Sequence, residues 1–416
     1  MKNRSHALAT CDVVRRKRIA LVVPSLEGGG GVPSVADFIC RIIEKSGKYD
    51  YQLISLSMSS RDPLSVGFSL PASWCEGVRS EQGVWMGRQY TRVGAFVSEF
   101  EFQRYRPRAV LTELLADCNV IQMICGSPAW ANAVCGLDKP VAVHTATRVK
   151  VERRHRDSQP QGLWGWWRKA MTKITDRLDD RGMRAVDAVQ VMNPWMLQYA
   201  RQLNVGRHLD LRYAPPGIDA QALHPLPHRD LIADPYILCV ARLSDPRKNL
   251  GLLLDAYARL PQQLIDRVRL VMAGSSAPPE SFWQRANALG LRERVSYVQQ
   301  PDRQALISLY QNATVFALPS NEEGFGMVLI EAMACGVPVI STRSGGPDGI
   351  ITHSEDGYLV SLDDAQALAT HLATLLDDPT LNLRMGQHAR QTIEQRYAEE
   401  VAGRAFIDTW ERLLKK

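Results

Sequence analysis

The run TVFALPSNEEGFGMVLIEAMACGVPVIST, residues 314–342, contains a strand, a loop, a helix and the start of another strand. TVFALPS is β-branched and aromatic and ends in a polar loop. MVLIEAMACG reads as a buried helix stopped at Gly336, and VPVIST follows as a second strand. Glu323 and Glu331 stand eight positions apart in this run, with Gly324, Phe325 and Gly326 after the first. A carboxylate inside so apolar a helix is costly unless it is bonded. Two vicinal sugar hydroxyls would bond Glu331 bidentately; a structural salt bridge is the alternative for this residue alone. Glu323, at the loop, is placed to meet hydroxyls of a second sugar, and Gly324 to Gly326 form a tight loop whose N–H groups face the same ligand.

The same alternation runs outward in both directions. RIALVVP, YQLISLS, NVIQMIC, PVAVHT, DAVQVM and LRYA read as strands in the first half, and YILCVARL, VRLVMAG and RVSYVQ in the second. Amphipathic segments such as LGLLLDAYARL and DRQALISLYQNA lie between them. This order predicts parallel sheets with helices on both faces. Two such sets flank APPGIDAQALHPLPHRDLIADP, a proline-rich linker at about residues 214–235. The expected fold class is therefore α/β, with two doubly wound Rossmann-like domains, residues 1–215 and 216–395, facing a cleft. Ligands of such sheets sit beyond the carboxyl ends of the strands, so chemistry is sought just after them.

Composition excludes little. Of 416 residues 45% are hydrophobic and 23% charged, as in an ordinary globular protein, and the net charge of +6 comes with no nucleic-acid-binding module. The eight cysteines include no C-x-x-C pair and mostly lie in apolar runs, which reads as buried reduced thiols in a cytoplasmic protein. The short apolar run near the N-terminus has neither the length of a membrane span nor the cleavage pattern of a signal peptide.

Three further places could carry chemistry. In PSLEGGGGVPSVADFICRII a strand ends, Gly28, Gly29, Gly30 and Gly31 follow, and a helix begins. Close backbone approach and free N–H groups there suit a phosphate or sugar. A dinucleotide site would need an acid at the end of the second strand, which ends instead in serine and methionine. In VARLSDPRKNLGLLLDAY, Arg242 and Lys248 stand between a strand and a helix, where two cations neutralise a diphosphate; Arg247 is the weaker alternative to Lys248. His144 closes the apolar run PVAVH and is read as facing the cleft, the alternative being a core histidine.

With these residues in hand, the chain resembles retaining GT-B glycosyltransferases of the glycosyl transferases group 1 type, also called family four. The resemblance is carried by VARLSDPRKNLGLLLDAY, LVMAGSS, LGLRERVSYVQQ, the Glu-x7-Glu run with GFG inside it, SGGP and DGYLV; the first half matches more loosely, through GGGGVPSVADF, the His144 strand and VDAVQVMNP. It implies that Glu331 binds the donor ribose, and that Glu323 and the N–H groups of Phe325 to Met327 hold the transferred sugar. It implies further that Arg242 and Lys248 bind the diphosphate, that His144 contacts the sugar near the reacting carbon, and that residues 396–416 cross back onto the first domain. Metal and cofactor are both expected to be absent. Thr145 and Gly349 stand where acids are common in the family, and the interval from Arg242 to Lys248 is one residue longer than its commonest form.

The resulting expectation is sugar transfer, with retention, from a nucleoside-diphosphate sugar to a hydroxyl of a glycan or lipid-linked acceptor in cell-envelope or exopolysaccharide synthesis. A UDP-sugar is favoured over a GDP-sugar. The rivals are a nucleotide-sugar epimerase or a phosphorylase on the same fold, and a non-catalytic nucleotide-sugar-binding subunit. The first domain also carries RVKVERRHRDSQPQGLWGWWRKAMTKITDRL, residues 148–178. Its tryptophans and cations have the composition of a segment lying on an anionic membrane surface at the inner face. Leu163, Trp167, Ala170, Ile174 and Leu178 give it an apolar face; a helix packed on its own domain, with solvated cations, is the alternative.

Overall fold

The computed structural model describes residues 16–27, 30–158, 162–227 and 234–415. The first sheet comprises β1 (Lys17–Pro24), β2 (Tyr49–Leu56), β3 (Ser80–Trp85), β4 (Arg88–Val93), β5 (Val120–Cys125), β6 (Val141–Thr145), β7 (Ala188–Val191) and β8 (Asp210–Tyr213). Their order across the sheet is β3-β4-β2-β1-β5-β6-β7-β8. The second comprises β9 (Tyr236–Val240), β10 (Arg269–Gly274), β11 (Val295–Gln299), β12 (Val315–Leu318), β13 (Val339–Thr342) and β14 (Gly357–Val360), ordered β11-β10-β9-β12-β13-β14. Every pairing is parallel except the β3–β4 hairpin. β5, β6, β9 and β12 are buried along their whole length, because helices cover both faces of each sheet.

The chain crosses between the sheets twice. It leaves β8 through Ala214, Pro215 and Pro216, and returns at Ala398. The two crossings pair with each other: Ile218 N donates to Tyr397 O at 2.8 Å and Glu399 N to Ile218 O at 3.1 Å. The last helix, Glu399–Leu413, then packs on the first domain. Phe406 meets Phe38 edge-on at 5.7 Å, Lys45 reaches the buried Glu399 at 2.6 Å, and Trp410 Nε1 donates to Gln122 Oε1 at 2.9 Å.

Some features differ from the sequence reading. The β3–β4 hairpin was not expected, since SEQGVW is a mostly exposed edge strand and RQYTRV a partly buried one, neither with an apolar run. The helix Gly162–Arg184 does not bury the face Leu163, Trp167, Ala170, Ile174 and Leu178. It packs through Gly165, Met171, Thr172, Thr175, Asp179, Gly182 and Met183. The reason is close approach: a Cβ on Gly182 would lie 2.2 Å from the Pro128 carbonyl oxygen. Five cysteines are buried, but Cys75 is exposed and Cys135 half-buried; Cys11 lies outside the described residues.

Candidate active site

A cavity of about 740 Å³ opens between the carboxyl ends of the two sheets. It is lined by Gly30, Gly31, His144, Arg242, Lys248, Glu323, Gly324, Phe325, Gly326, Met327 and Glu331, which brings together all the described candidate residues; Gly28 and Gly29 lie outside the described residues.

The second domain's part is built from loops that hold one another. After β12 the chain runs through Ser320 to Gly326, whose φ of 107° admits glycine readily, and enters the helix Met327–Ala334. Glu323 is fixed on both sides: its N–H donates to Ser344 O at 3.0 Å, and its carbonyl accepts from Gly346 N at 2.8 Å. The loop after β9 is tied to this one by Asn321 N to Arg247 O at 2.8 Å and by Asn249 Nδ2 to Asn321 Oδ1 at 2.8 Å. That tie carries Lys248 Nζ to 2.5 Å from Glu323 Oε2. Arg242 lies at the same mouth, half-exposed, with Asp245 at 3.4 Å. Arg247 is held by Asp245 at 2.8 Å and reaches Glu152 of the first domain at 3.3 Å.

Glu331 lies deeper. Its Oε2 accepts from the Tyr310 hydroxyl at 2.7 Å, its one hydrogen-bond partner among the described residues. Burial raises its pKa, and the salt bridge considered from sequence is not found there among the described residues. Phe325 contributes backbone, since its ring packs into the core 5.9 Å from Tyr397. Glu322, which the sequence reading passed over, lines the cavity beside Glu323; burial pushes its pKa up to about 7, against the pull of Arg247.

The first domain contributes mostly backbone and small side chains, from Gly30, Gly31, Gly126, Ala146 and Thr147. His144 does not follow β6; it lies within it, fully buried. Its Nε2 is 2.9 Å from the Ala214 carbonyl at the start of the crossing, and its ring lies 5.1 Å from that of Phe406. A carbonyl only accepts, so Nε2 carries the proton. Burial lowers the pKa to about 4, which keeps the ring neutral and leaves Nδ1 an acceptor, buried and without a hydrogen-bond partner among the described residues. The residue read from sequence as a sugar contact thus also anchors the crossing. The loop after β6 is pinned by Asp179, which accepts from Ala129 N at 2.9 Å and Val149 N at 2.8 Å; burial raises its pKa to about 7.

Behind the cavity the domains meet in a seam absent from the sequence reading. Asn193 caps the helix Pro194–Leu203 through Oδ1, and its Nδ2 donates to Ala146 O and to Gly324 O, both at 2.6 Å. The second domain presents glycines to it. A Cβ on Gly349 would lie 2.7 Å from Pro194 Cδ, which accounts for glycine where an acid is common. Asp348, one position earlier, instead accepts from Gly345 N at 3.0 Å.

A cleft of this construction, between two doubly wound sheets and closed by a returning C-terminal helix, defines the GT-B fold. Residues 231–392 match the family Glycosyl transferases group 1. It is 37% identical over 155 residues to D-inositol 3-phosphate glycosyltransferase of Corynebacterium efficiens, covering 36% of each chain. It is 31% identical over 217 residues to a GDP-mannose-dependent alpha-(1-6)-phosphatidylinositol monomannoside mannosyltransferase of Mycolicibacterium smegmatis, covering 48% of this chain and 53% of the relative. These alignments span from about a third to about half the length of the relatives. Alr3699/HepE of Anabaena, solved in complex with UDP-glucose, shares the fold with a TM-score of 0.66 at 15% identity, over 95% of this chain and 99% of that one.

Proposed function

We propose that this chain transfers a sugar from a nucleoside-diphosphate sugar to a hydroxyl of an acceptor seated against the first domain. One observation carries the reading. A buried carboxylate steadied by a tyrosine, a lysine–carboxylate pair and a further arginine converge on one cavity between the domains. Glu331 takes the ribose hydroxyls, and Tyr310 holds its carboxylate in place for them. Lys248 and Arg242 take the diphosphate, and Glu323, released from Lys248 as the phosphates arrive, takes a hydroxyl of the transferred sugar. Nδ1 of His144 can accept from a sugar hydroxyl but cannot donate to it.

The bond from the anomeric carbon to the diphosphate oxygen breaks, and one to the acceptor oxygen forms on the same face. The acceptor's proton passes to the departing diphosphate, whose growing charge the two cations stabilise. No protein nucleophile is required. For the donor, UDP-glucose in the Anabaena structure and GDP-mannose in the mannosyltransferase's name both support a nucleoside-diphosphate sugar. For the acceptor, both relatives' names support an inositol-type hydroxyl compound carrying phosphate, free or in a lipid headgroup.

Thermal-shift screening against UDP-glucose and GDP-mannose tests the donor, since the matching ligand stabilises the fold by mass action. Incubation of that donor with inositol phosphate and phosphatidylinositol acceptors then tests transfer. Donor hydrolysis with no sugar on any hydroxyl, or epimerisation without acceptor, would overturn the reading.

A further inference from the structure

The helix Gly162–Arg184 is unlike the other surface helices. Its inward stripe runs Trp164, Arg168, Met171, Thr175, Asp179 and Gly182, at spacings of three and four. Along it Met171, Thr175, Asp179 and Gly182 are buried, yet Trp164 at its start is 82% exposed. The first turn therefore presents its large side chains to solvent, with only the small Gly165 buried among them. Leu163 is 88% and Trp166 79% exposed on the same turn.

These side chains do not stand alone. Trp167 packs edge-on against Phe100 at 6.3 Å, and Phe100 in turn against Phe68 at 5.8 Å. Phe68, Leu70 and Trp74 are themselves exposed, and Trp74 rests on Phe96 at 5.9 Å. Two segments about ninety residues apart in the chain thus share one aromatic surface. Single exposed apolar residues need no explanation, but a contiguous group dominated by tryptophan marks a docking surface.

Charge decides what docks there. On the outward face of the same helix lie Lys169, Lys173, Arg177, Arg181 and Arg184, all exposed, at i,i+4 and i,i+3 spacing. None of the five has an ion pair among the described residues. A row of one sign repels a second copy of itself and attracts an anionic sheet. Tryptophan, with an apolar ring and a polar N–H, favours the boundary between headgroups and acyl chains. No described helix is long and apolar enough to cross a membrane.

We infer that this composite face is a membrane-docking surface for anionic lipid, with Trp164 and Trp166 entering the interface and the cationic row lying along the headgroups. Its place in the fold suits the cleft. Arg153 binds Glu101 at 2.8 Å beside Phe100, and Glu152, the preceding residue, lines the cavity. Arg168 ties the helix's second turn to Asp157 at 2.9 Å. An acceptor headgroup held in the same bilayer would enter the cleft from that rim. This last step rests on the proposed reaction; the docking itself does not.

The test is co-sedimentation of the full chain with vesicles of phosphatidylcholine alone and of phosphatidylcholine with phosphatidylglycerol, at low and high salt. The protein should pellet with anionic vesicles at low salt and be released as salt screens the charges. The Lys169→Gln, Lys173→Gln, Arg177→Gln variant should lose about fivefold in partitioning for each cation removed, with a shallower salt dependence. Trp164→Ala with Trp166→Ala, and separately Phe68→Ser with Trp74→Ser, should weaken binding while leaving donor-induced thermal stabilisation unchanged. Three outcomes would overturn it. The protein could stay in the supernatant with anionic vesicles at low salt. The variants could bind like the parent. Light scattering could show a concentration-dependent dimer that the tryptophan variant makes monomeric, assigning the face to a second copy.

Discussion

Replacing Asn193 by serine tests whether the seam behind the cavity sets the closed geometry of the site. Asn193 is fully buried and does three things: Oδ1 caps the helix Pro194–Leu203, and Nδ2 donates to Ala146 O within its own domain and to Gly324 O across the seam. Serine is as good a cap as asparagine, so Asn193→Ser preserves the helix start. It is too short to span to either carbonyl. Each carbonyl, part-buried, left without its donor costs at most about 1–3 kcal/mol. The Ala146 arm lies inside one domain and should appear as a lower Tm. The Gly324 arm spans both domains and would be broken by any opening of the cleft. Its loss should disfavour closure by about 1–3 kcal/mol, roughly 5- to 150-fold.

Gly324 begins the loop through Met327 that lines the cavity, so donor affinity and kcat/KM should both fall within that range. Isothermal calorimetry with the donor and small-angle scattering with and without it provide the readouts, and circular dichroism verifies the fold. Asn193→Asp keeps the cap oxygen but sets an oxygen against two carbonyl oxygens, and should be worse than serine. Unchanged donor affinity together with parental scattering in Asn193→Ser would refute the reasoning, whatever the change in Tm.

Glu331→Gln should weaken donor binding by about 1.5–3 kcal/mol through loss of a charge-assisted bond, and Tyr310→Phe by less; calorimetry ranks them. Arg242→Ala and Lys248→Ala should each lower kcat more than they raise KM, and the double variant should cost less than the sum, since both act on one diphosphate. Glu322 should be protonated below about pH 7 and charged above it, adding a negative charge where an anionic donor binds. Donor affinity should therefore fall as pH rises through 7, and Glu322→Gln should flatten that part of the profile. An added side chain at Gly126 meets nothing within 4 Å and projects into the cavity. Gly126→Val should raise the acceptor KM several-fold and leave donor affinity unchanged.

The strands were legible because parallel strands buried on both faces must be continuous apolar runs, as in RIALVVP and VFAL. The donor side was legible for a related reason. Arg242, Lys248, Glu323 and Glu331 lie within ninety residues of one another, the first three on segments that directly follow strands and Glu331 on the helix after one of them, so topology alone brings them together. His144 was read as following its strand and facing the cleft, but it lies within the strand, and its bond to Ala214, seventy positions away, leaves no local sign. Asn193 before Pro194 reads as a helix start, which hides the two carbonyls its other end holds. The tryptophan helix was misread in the same way. Periodicity found an apolar stripe, but small residues decide which face can approach the domain, and Gly182 rather than Leu178 sets the contact.

These failures share a cause that bears on how the cleft works. The second domain holds its charged groups by short ties between neighbouring loops, Asn321 to Arg247 and Glu323 to Ser344 and Gly346, so it can keep their geometry by itself. The first domain offers the cavity little charge of its own, and is set against the second by contacts that exist only once both are folded: Asn193 to Gly324, Pro194 against Gly349, Glu152 to Arg247. Local ties can keep the charged groups of the second domain in register in an open cleft, while closure adds the contacts that tighten donor binding. The seam contacts would be made only when the cleft is shut. Substitutions in the second domain's loops should therefore act on donor binding, and substitutions along the seam on donor binding and on transfer together.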